Sequence, residues 1–211
     1  MSLQIPPLPP GDSPPSPQEI ADLLSESLPE SERAAGRALL LEQILPAKLS
    51  GLAEHPQPRG LAEVIYEDLA DELRQADEGQ RLAVLGAAAL RAEVEALAAD
   101  SLSLAIARYL IDHPTATYAA ADWKTTTVEC WMKKPLKELQ DEATRRLASL
   151  DELERQIKSE CPDLWEPLRV EFVHTKLNLQ SARSGSFDTT SGSLYGFLSA
   201  LGVAVDNFDI H

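Results

Sequence analysis

The chain has 211 residues, which suffice for one domain of ordinary size or for two small ones. Its apolar fraction of 44% lies close to the globular average and predicts a folded protein despite 15 prolines. Nineteen basic residues against 34 acidic residues give a formal net charge of −15. This charge repels phosphates and therefore excludes broad, non-specific binding to nucleic acid or to anionic lipid.

Cysteine content and hydropathy set the expected compartment. Cys130 and Cys161 are the only cysteines, too few for a disulfide framework or a four-cysteine zinc site. No uncharged apolar run reaches the roughly 18 residues of a membrane helix. The N-terminus also lacks the basic and apolar regions of a secretory signal. The sequence therefore predicts a soluble cytoplasmic protein with reduced thiols and no membrane partner.

Proline dominates the start of the chain, where the first 17 residues hold seven of the 15 prolines. Proline removes amide donors and favours extended polyproline II backbone. Residues 1–16 are therefore predicted to be a proline-rich tail, either disordered or docked on a surface. The run from Pro6 to Pro10 has the composition of a ligand for an aromatic groove, with a solvated leader as the simpler interpretation.

Short helices are predicted over residues 17–53. Ser16, Pro17 and Glu19 have the spacing of a capping box, which predicts that the first helix begins there. A second helix is expected from about Glu30 to Ile44. Prolines and glycines then predict a flexible joint near residues 54–60.

Apolar residues at helical spacing predict a main helical domain over residues 61–180. Its first helix begins at Leu61, a long second helix runs from about Gln80 to Asp112, and a third runs from Pro135 to near Pro162. In the second helix a leucine or isoleucine recurs every seven residues, at Leu90, Leu97, Leu104 and Ile111. The second and third helices can pack against each other within one chain, or the same apolar faces can form a homodimer.

The third helix carries acid-before-base pairs four residues apart, namely Asp141 with Arg145, Glu142 with Arg146, Asp151 with Arg155 and Glu154 with Lys158.

Three later stretches are less regular. Residues 116–132 contain β-branched and aromatic residues and are candidates for a short β-hairpin. Residues 168–180 fit both strand and helical spacing, with helix favoured. Residues 181–193 are predicted to be a Ser/Thr/Gly-rich loop, and residues 194–211 a C-terminal helix and tail. The predicted fold class is a mainly α helical bundle with two long amphipathic helices, with α+β as the alternative.

One Glu-x-x-His spacing raises a metal-binding hypothesis. Glu171 and His174 have the spacing that places a carboxylate and an imidazole on one helix face in ferritin-like di-iron bundles. Such sites need a second copy and further carboxylates, and no second copy occurs in the sequence. A surface glutamate with a hydrogen-bonded histidine is the simpler interpretation, and no cofactor is predicted.

Arg108 and His113 have the spacing R-x4-H, which resembles the motif of the HEPN family of all-helical ribonucleases. That resemblance covers six residues and implies that Arg108 stabilises charge on an RNA phosphate while His113 transfers a proton, usually across a dimer. The residue after the arginine is Tyr109, where the family carries a polar residue. The net charge of the chain also opposes RNA binding, and nucleic acid is not an expected partner.

The first half of the chain is the more acidic half. Glu63, Glu67 and Asp71 recur at helical spacing opposite an apolar stripe, so they predict an acidic helix face. Such a face can bind a basic protein surface, although solubility alone also explains it. The predicted function is a non-enzymatic acidic helical interaction module, an adaptor, assembly factor or inhibitor with a basic protein partner. The alternatives are an RNA-cleaving enzyme that uses Arg108 and His113, and a helical metal-binding protein.

Overall fold

A computed structural model describes residues 5–112 and 131–184 of the chain. All regular structure in these two ranges is helical, which confirms the mainly α prediction. The chain divides into two compact units, Met1–Glu93 (unit 1) and Val94–His211 (unit 2). Most of the predicted hairpin lies outside the described residues, and its last two positions, Trp131 and Met132, are helical.

Unit 1 contains three short helices and two longer ones. Helix α1 is Pro17–Ser25, α2 is Glu30–Leu39, α3 is Leu45–Lys48, α4 is Pro58–Gln75, and α5 is Arg81–Asp112, which continues into unit 2. A single π-helical turn, Leu40–Ile44, joins α2 to α3, and 3-10 turns occur at Leu52–Glu54 and Glu78–Gln80. The expected second helix is thus present but locally widened, because the chain stays helical through the π turn.

The start of α1 is the capping box that the sequence predicts. The backbone N–H of Glu19 donates to the Ser16 hydroxyl at 3.2 Å, and the Ser16 N–H donates to the Glu19 carboxylate at 2.7 Å. The Ser16 hydroxyl also donates to the Glu19 carboxylate at 2.9 Å, and the bonds that the Ser16 amide and hydroxyl donate lower the pKa of Glu19 below its ordinary value.

The predicted joint at residues 54–60 is shorter in the structure. Glu54 ends a 3-10 turn, and α4 already begins at Pro58, so Gly60 lies inside the helix. Proline at the first helical position costs no hydrogen bond and supplies the helical φ, which is why α4 starts there. The reversal before it uses Gly51 with a φ of 79°, a conformation in which glycine has no steric penalty.

Apolar side chains of α1, α3, α4, α5 and the π turn form one buried cluster, and Leu39 of α2 packs partly buried against it. Its fully buried members include Ile20, Leu24, Leu40, Ile44, Leu45, Tyr66 and Leu73. Ile5 of the proline-rich N-terminal segment joins the same cluster, and Leu8 packs partly buried against it. The described part of this segment therefore lies on the body of unit 1.

Gly36 of α2 gives the first test of this packing. A Cβ built on Gly36 would lie 2.1 Å from Leu28 Cδ1 and 3.2 Å from Leu85 Cδ1, both on buried side chains. Gly86 of α5 is its matched control, since a Cβ there meets nothing within 4 Å.

We expect Gly36→Ala to destabilise unit 1 by about 1 kcal/mol, because overpacking outweighs the gain in helix propensity. Gly86→Ala should stabilise it by about 0.5–1 kcal/mol. Urea unfolding followed by far-UV circular dichroism measures both changes. Equal stabilisation by the two substitutions would show that α2 does not pack closely against Leu28.

Unit 2 contains a helical hairpin. Helix α6 is Leu136–Glu160, α7 is Trp165–Ser184, and a 3-10 turn at Pro162–Leu164 connects them. The two helices pack together along most of their length. The buried face of α6 consists of Leu139, Ala143, Leu147, Leu150, Leu153 and Ile157, and that of α7 includes Phe172, Thr175, Leu179 and Ala182. The ambiguous residues 168–180 are therefore helical. Residues 181–184 of the predicted loop are also helical, and the rest of that loop and the predicted C-terminal helix and tail lie outside the described residues.

Residues 101–110 of α5 are buried on every face. Of the four residues in the seven-residue repeat, Leu90, Leu97 and Leu104 are buried within the chain. Among the described helices, none combines the length and apolarity that crossing a bilayer requires.

Candidate interaction surface

Helix α4 presents the predicted acidic residues to solvent. Ile65, Tyr66, Leu69, Ala70 and Leu73 occupy its buried side. Glu63, Glu67 and Asp71 are all exposed on the opposite side, as the spacing predicts. Between residues 59 and 74 the helix carries five carboxylates and two guanidinium groups, so its net charge is −3.

Each predicted acidic residue already has a cation on the same helix. Glu63 Oε1 lies 2.6 Å from Arg59 Nε, while Arg74 Nη1 lies 2.6 Å from Asp71 and 3.2 Å from Glu67. The hydrogen bonds to Asp71 and then Glu67 raise the pKa of Arg74 above its already high value, so it stays charged. The pairs of Arg74 are exposed to solvent, so they contribute little to stability.

Two further residues belong to this surface, and the sequence interpretation missed both. Asp68 is exposed and forms no ion pair with any other described residue. Val64 precedes it by one helical turn and is 58% exposed, the largest value among the large apolar side chains of the described residues. At 100° per residue Arg59 falls at one edge of the surface, and Val64 and Asp68 fall towards the other. Arg74 falls between Glu63 and Glu67. We call Glu63, Val64, Glu67, Asp68 and Asp71 the acidic face.

The Arg108 and His113 pair is only half described. His113 lies outside the described residues, whereas Arg108 is buried in α5. Its Nε atom lies 3.2 Å from Asp112 Oδ2, in a geometry too poor for a hydrogen bond, and Nη1 has no acceptor among the described residues. A guanidinium enclosed in this way is not presented to an RNA backbone, so the structure gives the ribonuclease hypothesis no support.

The Glu171 and His174 pair lies on α7. Glu171 is exposed and His174 is half-buried, one helical turn apart. Within residues 5–112 and 131–184 no group of three or more histidine, cysteine or acidic side chains is close enough to hold a metal. The metal-binding hypothesis therefore rests on the sequence spacing alone.

The same helix also has an exposed apolar stripe. Val170, Val173 and Leu177 are 54%, 51% and 40% exposed, and their spacing places them on the side opposite Phe172. Nothing in the described structure indicates which molecule covers this stripe.

Basic residues near Trp131 do not form a free surface for stacking bases. Trp131 is buried, Lys134 Nζ lies 3.8 Å from its ring centroid, and the Arg146 guanidinium lies 5.7 Å away. Arg146 also pairs with Asp100 of α5 and, at 2.8 Å, with Glu142. These basic groups therefore make their contacts within unit 2.

Comparisons of the chain with protein-family models, with curated proteins and with solved structures return no match.

Proposed function

We propose that the protein is a non-enzymatic interaction module whose acidic face binds a basic surface of another protein. The observation that carries this proposal is the combination of exposed carboxylates, net negative charge and an exposed valine on the outer side of α4. Adaptor, assembly factor and inhibitor all remain roles that such a module can perform.

Two kinds of contact would contribute to binding. A lysine or arginine of the partner reaches Asp68 without displacing an existing ion pair, and it exchanges with Arg74 at Glu67 and Asp71. Burial of Val64 adds about 1 kcal/mol, because fully burying a valine contributes about 1.5–3 kcal/mol and roughly half of it is already covered. Charge then gives the orientation and the association rate, and Val64 gives a fixed contact point.

Binding of this kind depends on salt. The carboxylates are exposed, so raising the ionic strength to about 0.15 M shortens the screening length to about 8 Å and weakens the attraction. The net charge of −15 attracts any polycation to some degree, so a test must separate the acidic face from the rest of the surface.

The test uses two triple charge-reversal variants of the full-length protein. Glu67→Lys, Asp68→Lys and Asp71→Lys alter the acidic face, and Glu152→Lys, Glu160→Lys and Asp163→Lys alter three exposed acids of unit 2. Both variants change the net charge by the same amount. The probe is a lysine homopeptide, with binding measured by calorimetry at low salt and circular dichroism as the check on folding.

We expect the acidic-face variant to lose at least about tenfold in affinity, equivalent to about 1.4 kcal/mol, and the unit 2 variant to lose less than about threefold. Asp68→Asn is a milder second variant that breaks no ion pair and should weaken binding in the same direction. Equal losses in both triple variants would mean that overall charge, and not the acidic face, attracts the peptide.

A further inference from the structure

The described part of the proline-rich segment, residues 5–15, is held against unit 1 by a regular pattern of contacts. We call these residues the leader. Ile5 is buried and Leu8 is half-buried, whereas Pro6, Pro7, Pro9 and Pro10 are exposed. A polyproline II helix has three residues per turn, so positions 5 and 8 share one face. The burial pattern is therefore that of a polyproline II segment that docks by its aliphatic face.

Backbone carbonyls of the leader supply the polar contacts. The Tyr66 hydroxyl donates a hydrogen bond to the carbonyl oxygen of Pro6. Arg59 Nη2 donates to the carbonyl oxygen of Pro9 at 2.7 Å, and Arg59 Nη1 donates to that of Ser13 at 3.0 Å. Proline has no N–H, so its carbonyls are the groups through which a proline-rich backbone is recognised.

Both donors are held in position by unit 1 itself. Tyr66 is fully buried, and burial raises the pKa of its hydroxyl, which therefore keeps the proton that it donates. Arg59 Nε lies 2.6 Å from Glu63 Oε1, which orients the guanidinium towards the leader. The leader bends around this guanidinium, and residues 9–15 with Arg59 and Glu19 line an open pocket of about 280 Å³.

We propose that the surface under the leader is a binding groove for proline-rich segments, and that the leader is its intramolecular ligand. The partner is an extended segment of another protein with the pattern aliphatic-Pro-Pro-aliphatic-Pro-Pro, which exchanges with the leader. The pattern follows from the leader itself, since two aliphatic side chains three residues apart and two carbonyl acceptors are what the groove contacts. The inference does not require binding at the acidic face, although Glu63 belongs to that face and also pairs with Arg59.

Competition from the leader determines how the groove responds to a partner. An attached ligand on a short connection has an effective concentration in the millimolar range, so a free peptide binds the intact protein weakly. Removing the aliphatic contacts of the leader without shortening the chain should expose the groove. The full-length double variant Ile5→Asp with Leu8→Asp does this, because a carboxylate is not tolerated in the apolar contact.

The probe is a fluorescein-labelled peptide with the sequence of residues 5–16, and binding is followed by fluorescence anisotropy. We expect it to bind the double variant at least about tenfold more tightly than it binds the native chain. Adding Tyr66→Phe to the double variant should weaken binding several-fold, since the ring stays and only the donor to Pro6 is lost. A peptide that carries aspartate at positions 5 and 8 is the matched control and should not bind.

A second measurement covers the case in which the double variant does not fold. In the native chain, an excess of the peptide should shift the methyl NMR signals of Ile5 and Leu8 towards their values in an unstructured peptide. Absence of peptide binding to a folded double variant, or unchanged methyl signals at millimolar peptide, would overturn the proposal. Both tests report on the leader and not on the acidic face, so each of the two proposals can fail without the other.

Discussion

Replacing Phe172 by alanine is expected to lower the free energy of unfolding of unit 2 by about 3–5 kcal/mol. Phe172 is 1% exposed on the buried face of α7, and its ring centroid lies 5.4 Å from that of Trp165. The substitution removes the largest fully buried side chain among the described residues of the α6–α7 hairpin and leaves a cavity beside the Trp165 ring.

The next residue along the chain provides the control. Val173 is 51% exposed on the opposite side of α7, so Val173→Ala should change stability by less than about 0.5 kcal/mol. All three tryptophans lie in unit 2, and urea unfolding followed by tryptophan fluorescence therefore reports on that unit. Similar costs for the two substitutions would mean that α7 packs by a different face.

Arg146→Met should have the second largest effect and cost unit 2 about 2 kcal/mol. The guanidinium is 22% exposed and pairs with Asp100 of α5 and Glu142 of α6. Breaking a fully buried ion pair costs about 3–5 kcal/mol, and partial solvent access reduces that figure here. Glu142 keeps Arg145 as a partner, so the main loss is the cation opposite Asp100.

Arg155→Met on the same helix is the matched control. Its guanidinium is 73% exposed and pairs only with the exposed Glu152, so the cost should stay below about 0.5 kcal/mol. The double variant Arg146→Met with Asp100→Asn should recover part of the loss, because the unpaired charge is removed as well. Strictly additive losses would show that Asp100 and Arg146 do not interact in solution.

Local signals in the sequence predicted the helices well. The capping box at Ser16 and Glu19 fixed the start of α1, and Pro135 directly precedes α6. The side-chain pairs were less predictable. Glu142 pairs with Arg146, and Glu154 with Lys158, as expected, but Arg145 and Arg155 take acids three residues away. Residues three and four positions apart are both neighbours on a helix surface, so the sequence spacing alone does not predict which acid each arginine pairs with.

Contacts between distant residues could not be predicted from local pattern. The sequence spacing predicted an ion pair between Asp151 and Arg155, yet Asp151 Oδ1 lies 2.7 Å from Lys176 Nζ on α7. Lys176 also lies 2.6 Å from Glu154, and its hydrogen bonds with Asp151 and Glu154 raise the pKa of Lys176. Docking of the leader is a similar case, because Arg59 and Ser13 are 46 positions apart and nothing in either segment specifies the other.

The acidic face illustrates which features of the candidate site could be predicted from the sequence. Helical spacing placed Glu63, Glu67 and Asp71 on one exposed side, and the structure agrees. Arg59 lies four residues before Glu63, and Arg74 lies three residues after Asp71. Partial neutralisation of these carboxylates was therefore also predictable. Val64 lies about 20° from Asp71 at 100° per residue, so helical spacing placed it on the exposed side as well, and only its apolar side chain pointed to the core.

Binding at the acidic face is the central claim, and NMR mapping on the native chain tests it most directly. Nitrogen-15-labelled full-length protein is titrated with a lysine homopeptide at low salt, and amide shifts are compared residue by residue. The proposal predicts the largest shifts on α4 between Glu63 and Asp71, with smaller shifts at the exposed acids of unit 2. Shifts of equal size over both units, or largest in unit 2, would contradict it.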